Sequence, residues 1–340
     1  GWPAVPKGGI LALGDTGSRV TSLCRRLALS GDLKAWDPEA CGRSFDSSLV
    51  AAVKRFQGRH GLAATGRVDE ATLRDLNVTV EDRIDQIRLG LECWRWLPRD
   101  LGERHVRVNI ADFSLTAWKG DKVELAMRVV VGRKEDSTPV FSDRIVSVSL
   151  NPPWNIPESI AKEEILPELK ADPTYLERQG MELLTSWSER GVALRPDTID
   201  WSEVTPETFR FRIRQKHGEG SALGKVKFVM TNPFNIYLHD TPSKAYFAGH
   251  RRALSHGCVR VERPVELAEW ILAPDWNRES LLKEIAKGEP TILPAPGKGM
   301  PVHILYWTAF IDAEGGIQFR RDIYGWGRRM ERDLQRTARR

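Results

Sequence analysis

The sequence predicts an α+β protein: a mostly β domain, interrupted by a helical insertion, follows a small three-helix module. Three observations predict it. Apolar residues recur at helical spacing up to about residue 78. From about residue 105 they alternate with polar residues in short runs separated by turn residues, and between about 158 and 222 that alternation gives way to charged helical stretches. The expected divisions are an N-terminal segment over 1–9, the helical module over 10–78 and a linking helix over 79–104. The β domain then covers 105–327, with its insertion at about 158–222, and a helical tail covers 328–340.

In the first module, "GDTGSRVTSLCRRLALSGDL" sets Val20, Leu23 and Leu27 at helical spacing. In "FDSSLVAAVKRFQGRHGL" Asp46 is placed to cap a helix whose stripe is Leu49, Val53 and Phe56, and Gly61 to end it. "RVDEATLRDLN" supplies a third short helix. "VEDRIDQIRLGLECWRWLP" follows as an amphipathic helix with Ile84, Ile87, Leu91 and Trp94 on one stripe and Pro98 as its stop. Strands then follow in "HVRVNI", "FSLTAW", "KVELAMRVVVG", "RIVSVSLN", "KVKFVM", "NIYLH", "CVRV", "TILP" and "PVHILYWTAFI", a spacing expected of a closed or sandwiched sheet. The insertion reads as helices in "IAKEEILPELKADPTYLERQG", and an insertion of this size between strands is expected to be a lid. "RPVELAEWILA" reads as a helix packing Val265, Leu267 and Trp270 or their neighbours.

Composition narrows the function. The chain has 340 residues, 41% of them hydrophobic, enough for two domains with their own cores. No run of ~18 apolar residues is present to span a bilayer, and the opening "GWPAVPKGG" lacks the pattern of a signal peptide. The net charge of +5 is dispersed, with no aromatic-interleaved basic motif, which argues against nucleic acid and suits a mildly anionic polymer. Of four cysteines, Cys93 reads as a buried structural thiol, and Cys24 and Cys41 as a disulfide if the protein is exported.

The fourth cysteine stands in "NIYLHDTPSKAYFAGHRRALSHGCVRV", beside three histidines. Read as strands, "NIYLH" puts Tyr237 and His239 on one face and "CVRV" puts Cys258 and Arg260 on one face. If the strands are neighbours, a thiol, an imidazole, a phenol and a guanidinium share a surface. That set suits acyl transfer: an imidazole lowers the thiol's pKa and takes its proton, and N–H groups near Gly257 and Cys258 stabilise an oxyanion. A zinc site of His239, His250, His256 and Cys258 is the competing reading, although these spacings match no compact zinc signature.

The same stretch, from "HDTP" to "SHGCVRV", resembles the signature of L,D-transpeptidases with a YkuD-type catalytic domain. "MRVVVGRKEDSTPVFSDRIVSVSLNPPWNIPESIAKEEILP" and "PVHILYWTAFIDAEGGIQFRRDIYG" resemble the large, YcbB-like branch of that family. The first module resembles a peptidoglycan-binding type 1 domain, with a generic three-helix spacer as the alternative. The resemblance implies a YkuD-type fold, no cofactor and no metal. It also implies an enzyme that joins peptidoglycan stem peptides by 3→3 cross-links through a cysteine thioester, releasing D-Ala. Cys258 is then the nucleophile and His239 the base. His256 shapes the oxyanion site or exchanges roles with His239. Tyr237 donates to the oxyanion or the donor, and Ser255 and Gly257 fix the turn. Arg260 pairs with a substrate carboxylate or is structural, Trp154 joins the substrate-binding set, and Asp240 orients His239 or caps the "DTP" turn.

The implied partners are stem peptides and glycan, carbapenems and other beta-lactams as covalent inhibitors, and other wall-synthesis enzymes. The implied location is the periplasm, with an inner-membrane anchor outside this chain. A cell-wall L,D-carboxypeptidase or cysteine peptidase, and a non-catalytic wall-binding scaffold, stay open as alternatives. The acceptor, amine or water, separates the first; acylation separates the second.

Overall fold

The computed structural model describes residues 1–34, 44–186, 191–218, 220–312 and 314–337. The chain forms two compact units. One comprises 1–101, 109–113 and 304–340, and the other 102–108 and 114–303. Among the described residues no helix is long and apolar enough to cross a membrane.

The first unit begins with α1 (Ser18–Leu29), α2 (Ser47–Arg59), α3 (Glu70–Leu76) and α4 (Val80–Arg95). The expected stripes meet in one core, where Val20, Leu23, Leu27, Leu49, Val53 and Phe56 are all buried. Asp46 caps α2 by accepting from the Leu49 N–H at 2.9 Å. Gly61 follows α2 at φ 64°, a conformation that favours glycine. Cys24 is disulfide-bonded; its expected partner, Cys41, lies outside the described residues.

The second unit is built on β1 (Arg104–Asn109), β2 (Ser114–Lys119), β3 (Lys122–Gly132), β4 (Phe141–Leu150) and β5 (Trp154–Asn155). The insertion then runs through α5 (Glu158–Ile160), a π-helical turn (Ala161–Ile165), α6 (Leu166–Ala171), α7 (Tyr175–Arg178), β6 (Met181–Leu184), β7 (Ala193–Leu194) and β8 (Arg212–Gln215). The chain returns through β9 (Val226–Met230), β10 (Leu238–His239), β11 (Ala253–Ser255), β12 (Val259–Val261), α8 (Pro264–Leu272), α9 (Arg278–Ala286), β13 (Thr291–Pro294) and β14 (Met300–Leu305). The main sheet has the order β11-β3-β12-β10-β9-β4-β14-β1-β2, and β2 also pairs with β3, so the sheet closes on itself. β13 pairs with β4 off this path, and closure pairs β2 with β3 where an open sheet would leave an exposed edge.

Several expectations need correction. The insertion is not purely helical: β6, β7 and β8 join β5 in a separate four-stranded sheet. That sheet and the helices bury their own core, including Ile156, Ile165, Leu169, Trp201, Phe209 and Ile213. The "NIYLH" strand is only two residues long, because Asn235 turns at φ 55° just before it. α8 buries Pro264, Leu267, Ala268, Ile271 and Leu272, whereas Val265 and Trp270 are only half-buried. "PVHILYWTAFI" is two strands, β14 and then β15 (Ala309–Ile311), which pairs with β16 (Ile317–Phe319) in the first unit before α10 (Trp326–Thr337).

The apolar stripe expected on α4 is the largest miss. Ile84, Leu91 and Trp94 are exposed, and the buried residues of the helix are Arg83 and Gly90. Gly90 explains the choice: a Cβ there would stand 2.9 Å from the Ala309 carbonyl oxygen, so its absence lets the backbone of β15 approach. Polar bonds hold the same face. Gln86 Nε2 donates to the Thr308 and Arg320 carbonyls at 2.7 and 2.8 Å, and the Arg83 guanidinium lies 4.6 Å from the Phe319 ring centre. Cys93 on this helix is a free thiol and half-buried rather than buried.

Candidate active site

Three adjacent strands position the site. β10 pairs antiparallel with β9 and parallel with β12, setting Leu238 beside Phe228 and Val259, and His239 beside Lys227 and Arg260. Leu238, Phe228 and Val259 are fully buried, so the alternation sends Lys227, His239 and Arg260 to the opposite face in one row. Tyr237 and Cys258 form the next row, since the Val259 N–H donates to the Tyr237 carbonyl at 3.0 Å. The Tyr237 and His239 rings are 5.6 Å apart, edge to face.

The turn before the thiol is fixed by hydrogen bonds. Gly257 adopts φ 108°, which breaks the extension of "SHGC" and excludes most side chains. Ser255 Oγ donates to the Cys258 carbonyl at 2.5 Å and accepts from the Gly257 N–H at 3.3 Å. Thr138 Oγ1 donates to the Gly257 carbonyl at 2.6 Å and accepts from the Gly132 N–H at 2.9 Å, tying the turn to the end of β3. Asp240 caps a turn with its carboxylate, while its backbone meets the His239 ring. Its carboxylate accepts from the Thr241 and Lys225 N–H groups at 2.7 and 2.8 Å and from Lys244 Nζ at 2.5 Å.

Every predicted site residue except Gly257 lines one cavity of about 330 Å³: Trp154, Tyr237, His239, Ser255, His256, Cys258 and Arg260. Both ends of the insertion line it too, through Ser159, Ile160 and Glu163 at the start and Ala222 and Leu223 at the return. His256 Nε2 is hydrogen-bonded to Glu164 Oε1 at 2.5 Å, so the insertion touches the Cys258 turn. Arg133, ion-paired with Asp136, approaches the same carboxylate at 3.7 Å. His250 is exposed and outside the cavity, and among the described residues no three His, Cys, Asp or Glu side chains converge as a metal site.

The electrostatics differ from the expected imidazole-activated thiol. Burial pushes the Cys258 thiol up, opposed by Tyr237 and by the charges of Lys227 and Arg260. His239 is not among the groups that lower it. Burial, then the Arg260 and Lys227 charges, hold the His239 imidazole down at about 3, so the ring is neutral. Opposing them, the Asp240 backbone meets the ring, although the buried Nδ1 makes no well-formed hydrogen bond. The Cys258 sulfur itself lies 3.8 Å from the Asn235 carbonyl oxygen. Tyr237 is raised well above the usual phenol range, mainly by burial, and stays a donor. Trp154 Nε1 lies near that phenol but is buried without a well-formed hydrogen bond. Arg260 Nε is buried and unpartnered, with the guanidinium 5.7 Å from the Tyr246 ring centre.

Lys227, Glu164 and Thr138 were missed from the sequence. Alternation in "KVKFVM" already put Lys227 on a polar face, but only strand pairing shows that this is the face of His239. Nothing local marks Glu164 or Thr138, which meet the Cys258 turn from distant segments.

Known proteins can be set beside this geometry. The family described as "L,D-transpeptidase catalytic domain", YkuD, matches residues 103–304, and the family described as "Putative peptidoglycan binding domain" matches residues 16–76. A Haemophilus influenzae protein named "Putative L,D-transpeptidase" is 37% identical over 224 residues, covering 66% of this chain and 44% of that protein. The chain therefore spans less than half the length of this curated relative. Among solved structures, the L,D-transpeptidase of Stackebrandtia nassauensis is 16% identical with a TM-score of 0.31, covering 89% of this chain and 96% of that one. That of Xylanimonas cellulosilytica is 16% identical with a TM-score of 0.29, covering 88% and 98%. With the YkuD match extending over more than half of its length, this chain belongs to the YkuD family of L,D-transpeptidase catalytic domains.

Proposed function

We propose that the protein forms 3→3 cross-links in peptidoglycan by acyl transfer through Cys258. The carrying observation is the shared face of Cys258, Tyr237, His239 and Arg260 in a cavity that the ends of the insertion help to line. The Cys258 sulfur attacks the carbonyl at the L-centre of the third stem residue. His239, neutral and therefore able to accept, takes the thiol proton. The carbonyl–nitrogen bond to D-Ala then breaks, the proton leaves on the D-Ala amine, and a thioester remains. An amine from a neighbouring stem attacks the thioester, the carbon–sulfur bond breaks and the thiol regains a proton.

The other groups take roles that their surroundings support. Tyr237, a phenol at neutral pH, donates to the oxyanion. Arg260 offers an unpartnered Nε to a donor carboxylate, and Trp154 an unpartnered indole N–H. His256, engaged by Glu164, anchors the insertion as a lid. The module over 16–76 holds the wall, beta-lactams acylate the same thiol, and the disulfide at Cys24 suits the periplasm.

Incubation with a purified disaccharide-tetrapeptide tests the reading. A cross-linked dimer with release of D-Ala is expected. Tripeptide alone would make water the acceptor and the protein a carboxypeptidase, and unchanged substrate would leave only a wall-binding scaffold.

A further inference from the structure

Lys227 occupies a position that an apolar residue would fill at less cost. It is half-buried on β9, directly across from His239, with its Nζ 4.0 Å from the centre of the Tyr237 ring. Burial disfavours its charge, and among the described residues Cys258 favours it. Among the described residues no carboxylate pairs with it, and a desolvated ammonium left so is unfavourable unless negative charge arrives during function. Tyr237, on whose ring the ammonium rests, in turn meets the Cys258 thiol. Lysine, phenol and sulfur thus form one contiguous line across β9, β10 and β12.

We propose that Lys227 is a positioning residue for this acyl transfer: its ammonium holds the Tyr237 phenol against the Cys258 sulfur and balances the charge of the thiolate and then of the oxyanion. This rests on the reading of Cys258 as the nucleophile. Lys227 does not line the cavity, so it acts through Tyr237 and through its field. The other groups around the thiol are already assigned. Arg260 lies beside His239 and opens to the cavity, His239 is neutral, His256 is bound to Glu164, and Asp136 is paired with Arg133. Lys227 is the cation set behind the phenol, where an ammonium over a ring face is attracted to the ring and stays fixed.

The test is the pH profile of Cys258 alkylation by iodoacetamide in the full chain, resolved by site with mass spectrometry. Cys93, with its thiol pushed up to about 11 by burial, separates from it. Removing a nearby cation raises a thiol's pKa, so Lys227→Met is expected to slow Cys258 alkylation at pH 7 about tenfold and move the profile to higher pH. Lys227→Gln, a second uncharged variant, carries the same expectation, and Lys227→Arg restores most of the rate. In a Tyr237→Leu background, Lys227→Met adds little, because the two act as a unit. A wild-type profile in folded Lys227→Met or Lys227→Gln, or Lys227→Arg as slow as Lys227→Met, overturns this proposal alone. A wild-type chain that forms no acyl-enzyme with the tetrapeptide overturns the acyl-transfer reading and this proposal together.

Discussion

His60 in one compact unit and His239 in the other are both buried with strongly lowered pKa values, and the two are spent differently. His60 is 4% exposed, stacked on Phe56 at 3.8 Å and Phe319 at 5.5 Å, and its Nδ1–H donates to the Phe56 carbonyl at 2.7 Å. Burial, and then the Arg83 charge, lower its pKa to about 2. His239 is 5% exposed and lowered to about 3 by burial and then Arg260, yet its Nδ1 makes no well-formed hydrogen bond and the ring lines the cavity. A depressed pKa is therefore common to both and distinguishes neither. What separates a packed histidine from a candidate base is a ring nitrogen without a well-formed hydrogen bond beside a cavity that also holds a thiol.

Exchanging the two losses gives the largest expected effect. His239→Ala should lower the single-turnover acylation rate about 10²- to 10⁴-fold, the usual contribution of a general base. His60→Ala should leave the rate per folded molecule within about a factor of two, since no catalytic role attaches to it. In stability the order reverses. His60→Ala should destabilise the first unit by about 3 kcal/mol, as expected for emptying a packed aromatic site, and His239→Ala the second by less than about half of that. Urea unfolding followed separately for each unit checks this.

Acid sharpens the same comparison. Below pH 6.5 the unfolded chain takes up a proton at His60 that the folded chain refuses down to about pH 2. Stability of the first unit thus falls as pH drops through that window, by roughly 1–2 kcal/mol per pH unit. Between pH 7 and pH 5 the wild type should lose about 2 kcal/mol more than His60→Phe, measured by urea titration at both pH values. The smallest effect concerns the insertion. Glu164→Gln should leave Cys258 alkylation unchanged and lower the dimer-to-tripeptide ratio about fivefold, the scale of one hydrogen bond. An unchanged ratio would show that the contact with His256 does not guard the thioester.

How much was readable follows from the range of each cause. The common face of Tyr237 with His239, and of Cys258 with Arg260, follows from a period of two along a few residues, so it was legible before any pairing was known. The core stripes of α1 and α2 were legible for the same local reason, with a period of 3.6. The α4 stripe failed because a single glycine, Gly90, let another backbone choose the opposite face. The sheet in the insertion was missed because β7 is two residues long and β6 and β8 only four, too short for a pattern to stand out. Lys227, Glu164 and Thr138 reach the site through pairing and docking of distant segments. The neutral resting state of thiol and imidazole depends on burial, which no spacing encodes.

The most direct test of the account is site-resolved mass spectrometry of the protein quenched soon after mixing with the disaccharide-tetrapeptide. One covalent adduct on Cys258 is expected, with the mass of the donor less D-Ala, and none on Cys258→Ala. Release of D-Ala without an adduct on Cys258, or an adduct that persists in Cys258→Ala, would contradict it.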